Sequence, residues 1–293
     1  MTAMRPRRSV LYMPGSNARA IEKAKALPAD TIILDLEDSV APEAKAEARN
    51  QVATAVRAGC FGAREVVVRV NGPDTPWAED DLAAAIAAGP DAILLPKVSD
   101  PGAIRAAEAR LTAAGASDRI RLWAMIETPL AILRLDAIAA AASGPGARLA
   151  CLVLGTNDLA KDTRARMVPG RWTMLPWLLT ALAAARANGL DAIDGVYSDL
   201  SDADGFRAEC EQGRDIGFDG KTLIHPNQIA AANEAFAPSP AEIEAARGII
   251  AAFERPENAG RGVISLDGRM VERLHAEMAA RTVAVAESIA GRM

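Results

Sequence analysis

The residues best suited to chemistry stand in or just after short apolar runs. Glu37 and Asp38 follow the run 31–36, Arg69 lies inside 65–70 with Asn71 behind it, and Lys97 comes shortly after 92–95. Glu127 follows 121–126, Asp158 comes shortly after 149–154, and Asp194, Tyr197 and Asp199 gather around 190–197. His225, one of two histidines with His275, follows 221–224. Two carboxylates in a chain without a C-x-x-C pair suit a hard, oxygen-preferring ion such as Mg2+, and Glu127 and Asp158 are the pair to consider. The alternative is that each favours the N-terminus of a following helix through the helix dipole, although Thr128 before Pro129 is the better cap.

Arg69 is a charge among β-branched residues, which is costly unless paired. Its planar fork would suit a substrate carboxylate or oxo acid, or else an ion pair with Glu37 or Asp38 on the neighbouring strand. His225 is either a hydrogen-bonded packing residue or a base at a strand end. Lys161, Arg164, Arg166 and Arg171 form a basic segment that reads either as a phosphate-facing lid or as a solvated loop. Arg19, Lys23 and Lys25 on the first predicted helix could do similar work.

What must position these groups is a repeating unit. About eight short, β-branched runs, at 9–12, 31–36, 65–70, 92–95, 121–126, 149–154, 190–197 and 221–224, alternate with Ala-rich stretches of helical period. Helices are predicted at 18–27, 42–58, 77–88, 101–114, 130–142, 174–188 and 202–216. Several stop at glycines: Gly59, Gly89, Gly115, Gly189 and Gly217. The expectation is an α/β chain folded as a (β/α)8 TIM barrel, with an open doubly wound sheet as runner-up. In a barrel the strand ends share one face, which brings the polar residues together. The barrel domain is assigned to 1–236. Residues 237–293 form a C-terminal helical extension expected to pack on a neighbouring subunit, with a helix opening at Pro240, a turn around Arg261 and a terminal helix from about Met270.

The chain has 293 residues, 50% of them hydrophobic but only 4% aromatic, with a net charge of −5. That balance argues against nucleic acid as a partner. Three scattered cysteines, Cys60, Cys151 and Cys210, suggest neither disulfides nor a zinc site, and a reducing cytoplasm fits. No apolar stretch is long enough for a membrane span, and the start lacks the pattern of a signal peptide.

The motifs, taken in order, resemble the citrate lyase beta-subunit-like family of CoA-ester lyases, in the aldolase and citrate lyase superfamily, with malyl-CoA and citramalyl-CoA lyases and their thioesterase relatives nearest. They include Ser9-Val-Leu-Tyr-Met-Pro-Gly-Ser16, Ile33-Leu-Asp-Leu-Glu-Asp-Ser-Val40, Val68-Arg-Val-Asn71, Leu95-Pro-Lys97, Met125-Ile-Glu-Thr-Pro129, Leu154-Gly-Thr-Asn-Asp158, Asp194-Gly-Val-Tyr197 and Gly220-Lys-Thr-Leu-Ile-His-Pro226. The resemblance implies a trimer or dimer of trimers, with Mg2+ (Mn2+ as the alternative ion) on Glu127 and Asp158 and a CoA thioester as substrate. It further implies that Arg69 binds the oxo-acid portion, Glu37 and Asp38 organise the metal waters and Arg69, and Tyr12, Lys23, Ile224 and His225 line the CoA thioester pocket. Asn17 stands where some relatives carry arginine, and Arg19 is the candidate replacement.

The family's acid/base is the aspartate of a C-terminal Gly-x-Met-Ile/Val-Asp motif, supplied by an adjacent subunit. Here the motif reads Gly268-Arg-Met-Val-Glu272, so Glu272 carries the carboxylate one methylene further out. The main expectation is C–C cleavage of a malyl-CoA, β-methylmalyl-CoA or citramalyl-CoA type substrate to an acyl-CoA and glyoxylate or pyruvate. The alternatives are hydrolysis of malyl-CoA to malate and CoA, and a citryl lyase subunit of a citrate lyase complex.

Overall fold

In a computed structural model of the chain, residues 5–292 are described; Met1–Met4 and Met293, at the ends of the two predicted segments, lie outside the described residues. Eight parallel strands close into a barrel: β1 (Ser9–Pro14), β2 (Thr31–Asp35), β3 (Glu65–Arg69), β4 (Ala92–Leu95), β5 (Arg121–Ile126), β6 (Leu149–Leu154), β7 (Asp191–Asp194) and β8 (Gly220–Leu223). Each pairs with the next, and β8 returns to β1 through Val10 opposite Thr222. The open-sheet runner-up is thereby excluded.

Side chains in a closed barrel alternate between interior and helix-facing sides. Val10, Ile33, Val67, Leu94, Trp123, Met125, Cys151, Val153 and Ile193 share one parity and form the inner apolar cluster. The other parity, including Leu11, Ile32, Val68, Ile93, Ala124 and Leu152, packs against the helices. Extending the inner parity toward the strand ends arrives at Tyr12, Asp35, Arg69 and Glu127. Extending the outer parity arrives at Asp194 and Lys221. Below the apolar layer Arg7 grips Glu65 with two bonds of 2.7 Å, pairs with Asp191, and lies 4.9 Å above the centre of the Trp123 ring. The barrel is a filled core closed at this end.

The helices are α1 (Ala18–Ala24), α2 (Lys45–Ala58), α3 (Ala78–Ala88), α4 (Pro101–Ala113), α5 (Pro129–Leu133), α6 (Leu135–Ala139), α7 (Thr156–Thr163), α8 (Leu175–Ala187), α9 (Ala203–Ile216) and α10 (Ile229–Ala235). The helix expected at 130–142 is broken at Arg134, whose ψ of 16° interrupts the ladder between α5 and α6. Asn17 caps α1 by accepting from the Ala20 N–H at 3.0 Å, which gives this position a structural use in place of the arginine of some relatives.

The chain divides into two compact units, Arg7–Phe236 and a second that runs on from Ala237. In the second, Ser239 caps α11 (Pro240–Glu254) in a reciprocal capping box with Glu242. The terminal helix does not start at Met270. Met270 sits in an antiparallel hairpin of β9 (Val263–Leu266) and β10 (Arg269–Glu272), and α12 (Arg273–Ala290) begins after it. The cause is the Asp267-Gly268 pair: φ of 50° and 75° form the left-handed two-residue turn that favours a hairpin.

Candidate active site

Arg69 ends β3 directly opposite Asp35 of β2 in the strand register. Its Nε and Nη2 donate to the two Asp35 carboxylate oxygens at 2.6 and 2.8 Å. The third nitrogen, Nη1, lies 2.7 Å from Glu37 Oε2 and 3.3 Å from Asp38 Oδ2, and the guanidinium rests 4.8 Å above the centre of the Tyr12 ring. Both ion-pair partners foreseen from the sequence are thus present, but the principal one is Asp35, which lies inside the strand. Asp35 also accepts from the Glu37 N–H and from the Ser39 N–H and hydroxyl, tying the turn after β2 to the arginine.

Burial opposes every charge in this cluster, and the partners decide which survive. It would raise Asp35, but Arg69 outweighs it and holds the carboxyl below its ordinary value. Burial also opposes the Arg69 charge, yet Asp35 and the other acids keep the guanidinium well above its usual range. For Glu37 burial wins over Arg69, pushing the carboxyl up to about 7. Its Oε2 is buried and, although close to Arg69, makes no hydrogen bond of good geometry. The Tyr12 hydroxyl is likewise buried and unpaired, and burial raises its pKa, so it stays a neutral donor.

Lys45 at the start of α2 is a site residue the sequence reading missed. Its ammonium donates to the Leu36 and Glu37 carbonyls at 2.8 and 2.7 Å and to Asn71 Oδ1 at 2.8 Å. Asn71 in turn donates to the Leu36 carbonyl and to Asp81, which Arg49 holds. This chain fixes the backbone that carries Glu37 and Asp38. The only sequence signal was a lysine at a helix start, where basic residues are disfavoured.

Glu127 and Asp158 come together through Lys97. The Lys97 N–H donates to Glu127 Oε1 at 2.7 Å, while its Nζ reaches Asp158 Oδ1 at 2.5 Å and stands 3.6 Å from Glu127 Oε2. Glu127 is fully buried, and Gly155 is what admits it. A Cβ at position 155 would lie 2.4 Å from the Glu127 Cβ. Thr128 caps α5 by accepting from the Ala131 N–H, so Glu127 is not needed as a cap there.

The other expected residues are more dispersed. Ile224 is 40% exposed. His225 Nδ1 accepts from the Asn227 N–H at 3.2 Å, the cap of a short turn, which leaves its proton on Nε2. Lys23 and Arg19 are exposed on α1. Glu272 lies in the second unit as the N-cap of α12, its N–H donating to His275 Nδ1 at 3.0 Å. The basic segment needs correction: Lys161, Arg164 and Arg166 face solvent or lie near the surface, but Arg171 is buried and cannot form part of a phosphate-facing lid. Its Nη1 donates to both oxygens of Asp194 at 2.7 and 2.8 Å. Lys221 completes that network by donating to Asp194, Glu209 and the Gly195 carbonyl.

The sequence pattern of the HpcH/HpaI aldolase/citrate lyase family matches residues 8–226, the span of the barrel. The chain belongs to this family. Within it, the chain is 52% identical to a (3S)-malyl-CoA thioesterase of Cereibacter sphaeroides, over 97% of this chain and 96% of that one. It is 37% identical to the citrate lyase subunit beta of Escherichia coli, over 92% and 89% of the two chains. Among solved structures, CitE of Mycobacterium tuberculosis, with magnesium, acetoacetate and coenzyme A, is similar at a TM-score of 0.75 and 28% identity, covering 97% of this chain and 99% of that one.

The donor set of this family member fits a divalent ion of the hard class. Glu127 Oε2 is buried without a hydrogen-bond partner, and an ammonium already stands between it and Asp158. Among the described residues no third acidic, histidine or cysteine side chain joins them. Two carboxylates with the remaining positions left to water and substrate oxygens match the habit of Mg2+.

Proposed function

We propose that the protein hydrolyses a malyl-CoA-type thioester to malate and free CoA, using a divalent ion held by Glu127 and Asp158. The observation that carries this reading is the 52% identity to the (3S)-malyl-CoA thioesterase over nearly the full length of both chains. The family resemblance of the motifs weighed toward C–C cleavage, and the greater likeness to the thioesterase moves the reading to the hydrolase.

The bound ion would act as a Lewis acid on substrate oxygens. The rest of the work falls to side chains. Arg69 has two of its nitrogens committed to Asp35, which fixes the plane of the guanidinium. Its Nη1 faces the carboxylates of Glu37 and Asp38. Asp38 is 65% exposed and easily displaced, so a substrate carboxylate could take its place on Nη1. Tyr12 lies under the guanidinium with an unspent hydroxyl, suited to donating to the thioester carbonyl as charge develops on its oxygen. Hydrolysis also needs a base to take a proton from the attacking water. Glu37, with a pKa near neutrality, can hold that proton at Oε2 and pass it to the departing thiolate. Lys23, Ile224 and His225 would flank the CoA portion, and Glu272 would reach the site from a neighbouring copy in a trimer.

A second reading, C–C cleavage to an acyl-CoA and a 2-oxo acid, is favoured by the 37% identity to the citrate lyase beta subunit. It asks for a base at the substrate hydroxyl and an acid that protonates the acyl-CoA enolate. The family resemblance gives the acid/base role at the thioester methyl to Glu272, where the extra methylene matters because a 1 Å misplacement can cost about 100-fold. Purified protein incubated with malyl-CoA and Mg2+ separates the two. Equimolar free thiol and malate, with no 2-oxo acid trapped by phenylhydrazine, is expected; stoichiometric glyoxylate with acetyl-CoA would overturn the hydrolase reading. Glu272→Ala should leave hydrolysis within about fivefold and abolish any C–C cleavage.

A further inference from the structure

Lys97 holds its charge in a place where a structural lysine is not needed. Its φ of 53° is a left-handed conformation, which costs a non-glycine residue about 1 kcal/mol. That conformation places both the backbone N–H and the ammonium on the two proposed metal carboxylates. The backbone N–H fixes Glu127 through Oε1, and the side chain spans from Glu127 Oε2 to Asp158 Oδ1. The ammonium is only loosely kept: Asp158 is its one hydrogen-bonded partner among the described residues, and the side chain is 35% exposed. Lys221, the molecule's structural counterpart, is fully buried with three acceptors. Lys97 is therefore attached to the pair and free to leave it.

We propose that Lys97 is an exchange cation for the Glu127 and Asp158 pair, its ammonium and the divalent ion contending for the same carboxylate oxygens. The inference rests on the metal reading given above. Without the ion, the ammonium keeps two acids from facing each other across a poorly screened gap. When the ion enters, Asp158 passes to it and the ammonium turns outward while the Lys97 N–H still holds Glu127. The three side chains carry one net negative charge before exchange, and together with the ion they carry one net positive charge after it. Only the exchanged state attracts an anionic thioester, so the ion would precede the substrate. No bond is made or broken and no proton is transferred in the exchange.

Mn2+ titration of the full-length protein, with free Mn2+ read by electron paramagnetic resonance, tests this without any turnover. Lys97→Met keeps the backbone N–H and should bind Mn2+ about three- to tenfold more tightly than the wild type. Its thermal midpoint without the ion should fall, and the midpoints should converge when both proteins are saturated. Lys161→Met, which removes a charge from the same helix as Asp158, should change Mn2+ affinity by less than about twofold. Lys97→Gln, in case the methionine variant folds poorly, should behave as Lys97→Met does. Unchanged or weaker Mn2+ binding in the Lys97 variants, or equal tightening in Lys161→Met, would overturn the exchange. Glu127→Gln reports on the underlying site separately: if it binds Mn2+ as well as the wild type, the metal pair itself is misassigned whatever Lys97 does.

Discussion

Two acid–base pairs face each other in register across neighbouring strands of the barrel, Asp35 with Arg69 on β2 and β3, and Asp194 with Lys221 on β7 and β8. They differ by one step of strand parity. The first pair points into the barrel mouth and the second into the layer between barrel and helices. Around the inner pair five carboxylates, Asp35, Glu37, Asp38, Glu127 and Asp158, outnumber the cations near them, Arg69 and Lys97 in ion pairs with them and Lys45 on backbone carbonyls beside them. Around the outer pair the count balances, with Asp194 and Glu209 against Arg171 and Lys221. The inner group leaves buried oxygens of Tyr12, Glu37 and Glu127 without hydrogen bonds, and none of the outer four is left so. A closed, neutral network holds structure. A network with surplus acid and unspent hydrogen-bonding capacity is arranged for something that binds.

The largest effect should come from breaking the outer network. Asp194→Ala leaves the buried Lys221 and Arg171 with Glu209 as their one remaining shared carboxylate and should cost about 3–5 kcal/mol of stability, read from urea unfolding. A loss below about 1 kcal/mol would mean that the outer group is not the structural member of the comparison. The inner group should fail in the opposite way. Arg69→Lys keeps the charge but loses the fork that grips Asp35, and turnover should fall about 100-fold with the unfolding midpoint nearly unchanged. A stable, fully active Arg69→Lys protein would place Arg69 alongside Lys221 as scaffold.

Acidity separates the two groups further. Asp35 and Asp194 are held below their ordinary values by cations that outweigh burial, so their contribution is intact above about pH 4 and is lost as pH falls through the lowered values. Glu37 is raised from 4.5 to about 7, so the folded state binds its proton more tightly than the unfolded chain does. Stability should therefore decline as pH rises from about 4.5 to 7, by on the order of 1–3 kcal/mol without divalent ion, and the decline should be smaller in Glu37→Gln, the remainder coming from Glu127, whose carboxyl is also raised by burial. Urea midpoints measured at pH 5 and pH 8 for both proteins check the sign. The smallest effect is expected at the rim: Lys23→Ala, on an exposed helix face, should raise KM for the CoA ester about threefold with kcat unchanged.

The barrel was legible because two periodicities alternate without interruption, and strand ends pointed to Arg69, Glu127 and Asp158 because a barrel collects them on one face. Asp35 escaped because it sits within the apolar run rather than beyond it, and only strand parity shows that the last inward residue of β2 reaches the same mouth. Lys45 escaped because its partners are carbonyl groups, which leave no trace in side-chain patterning. Arg171 was assigned to a loop surface because charged loop residues are usually solvated. Its partner Asp194 lies 23 residues on, and only the closed fold brings them together. The Asp267-Gly268 turn was readable, but the terminal helix was expected from about Met270, which lies in β10 ahead of the helix start at Arg273.

The apolar layer between Arg7 and Tyr12 has an engineering consequence. Val10, Ile33, Val67, Leu94 and Trp123 hold the lower charges and the upper ones apart, and each set is paired locally, so distance and pairing keep the two ends separable. The lower end can then be rebuilt for robustness, its charges exchanged or stapled, while proton and metal affinities at the mouth stay where they are. The barrel offers one face for evolution of chemistry and another for evolution of durability.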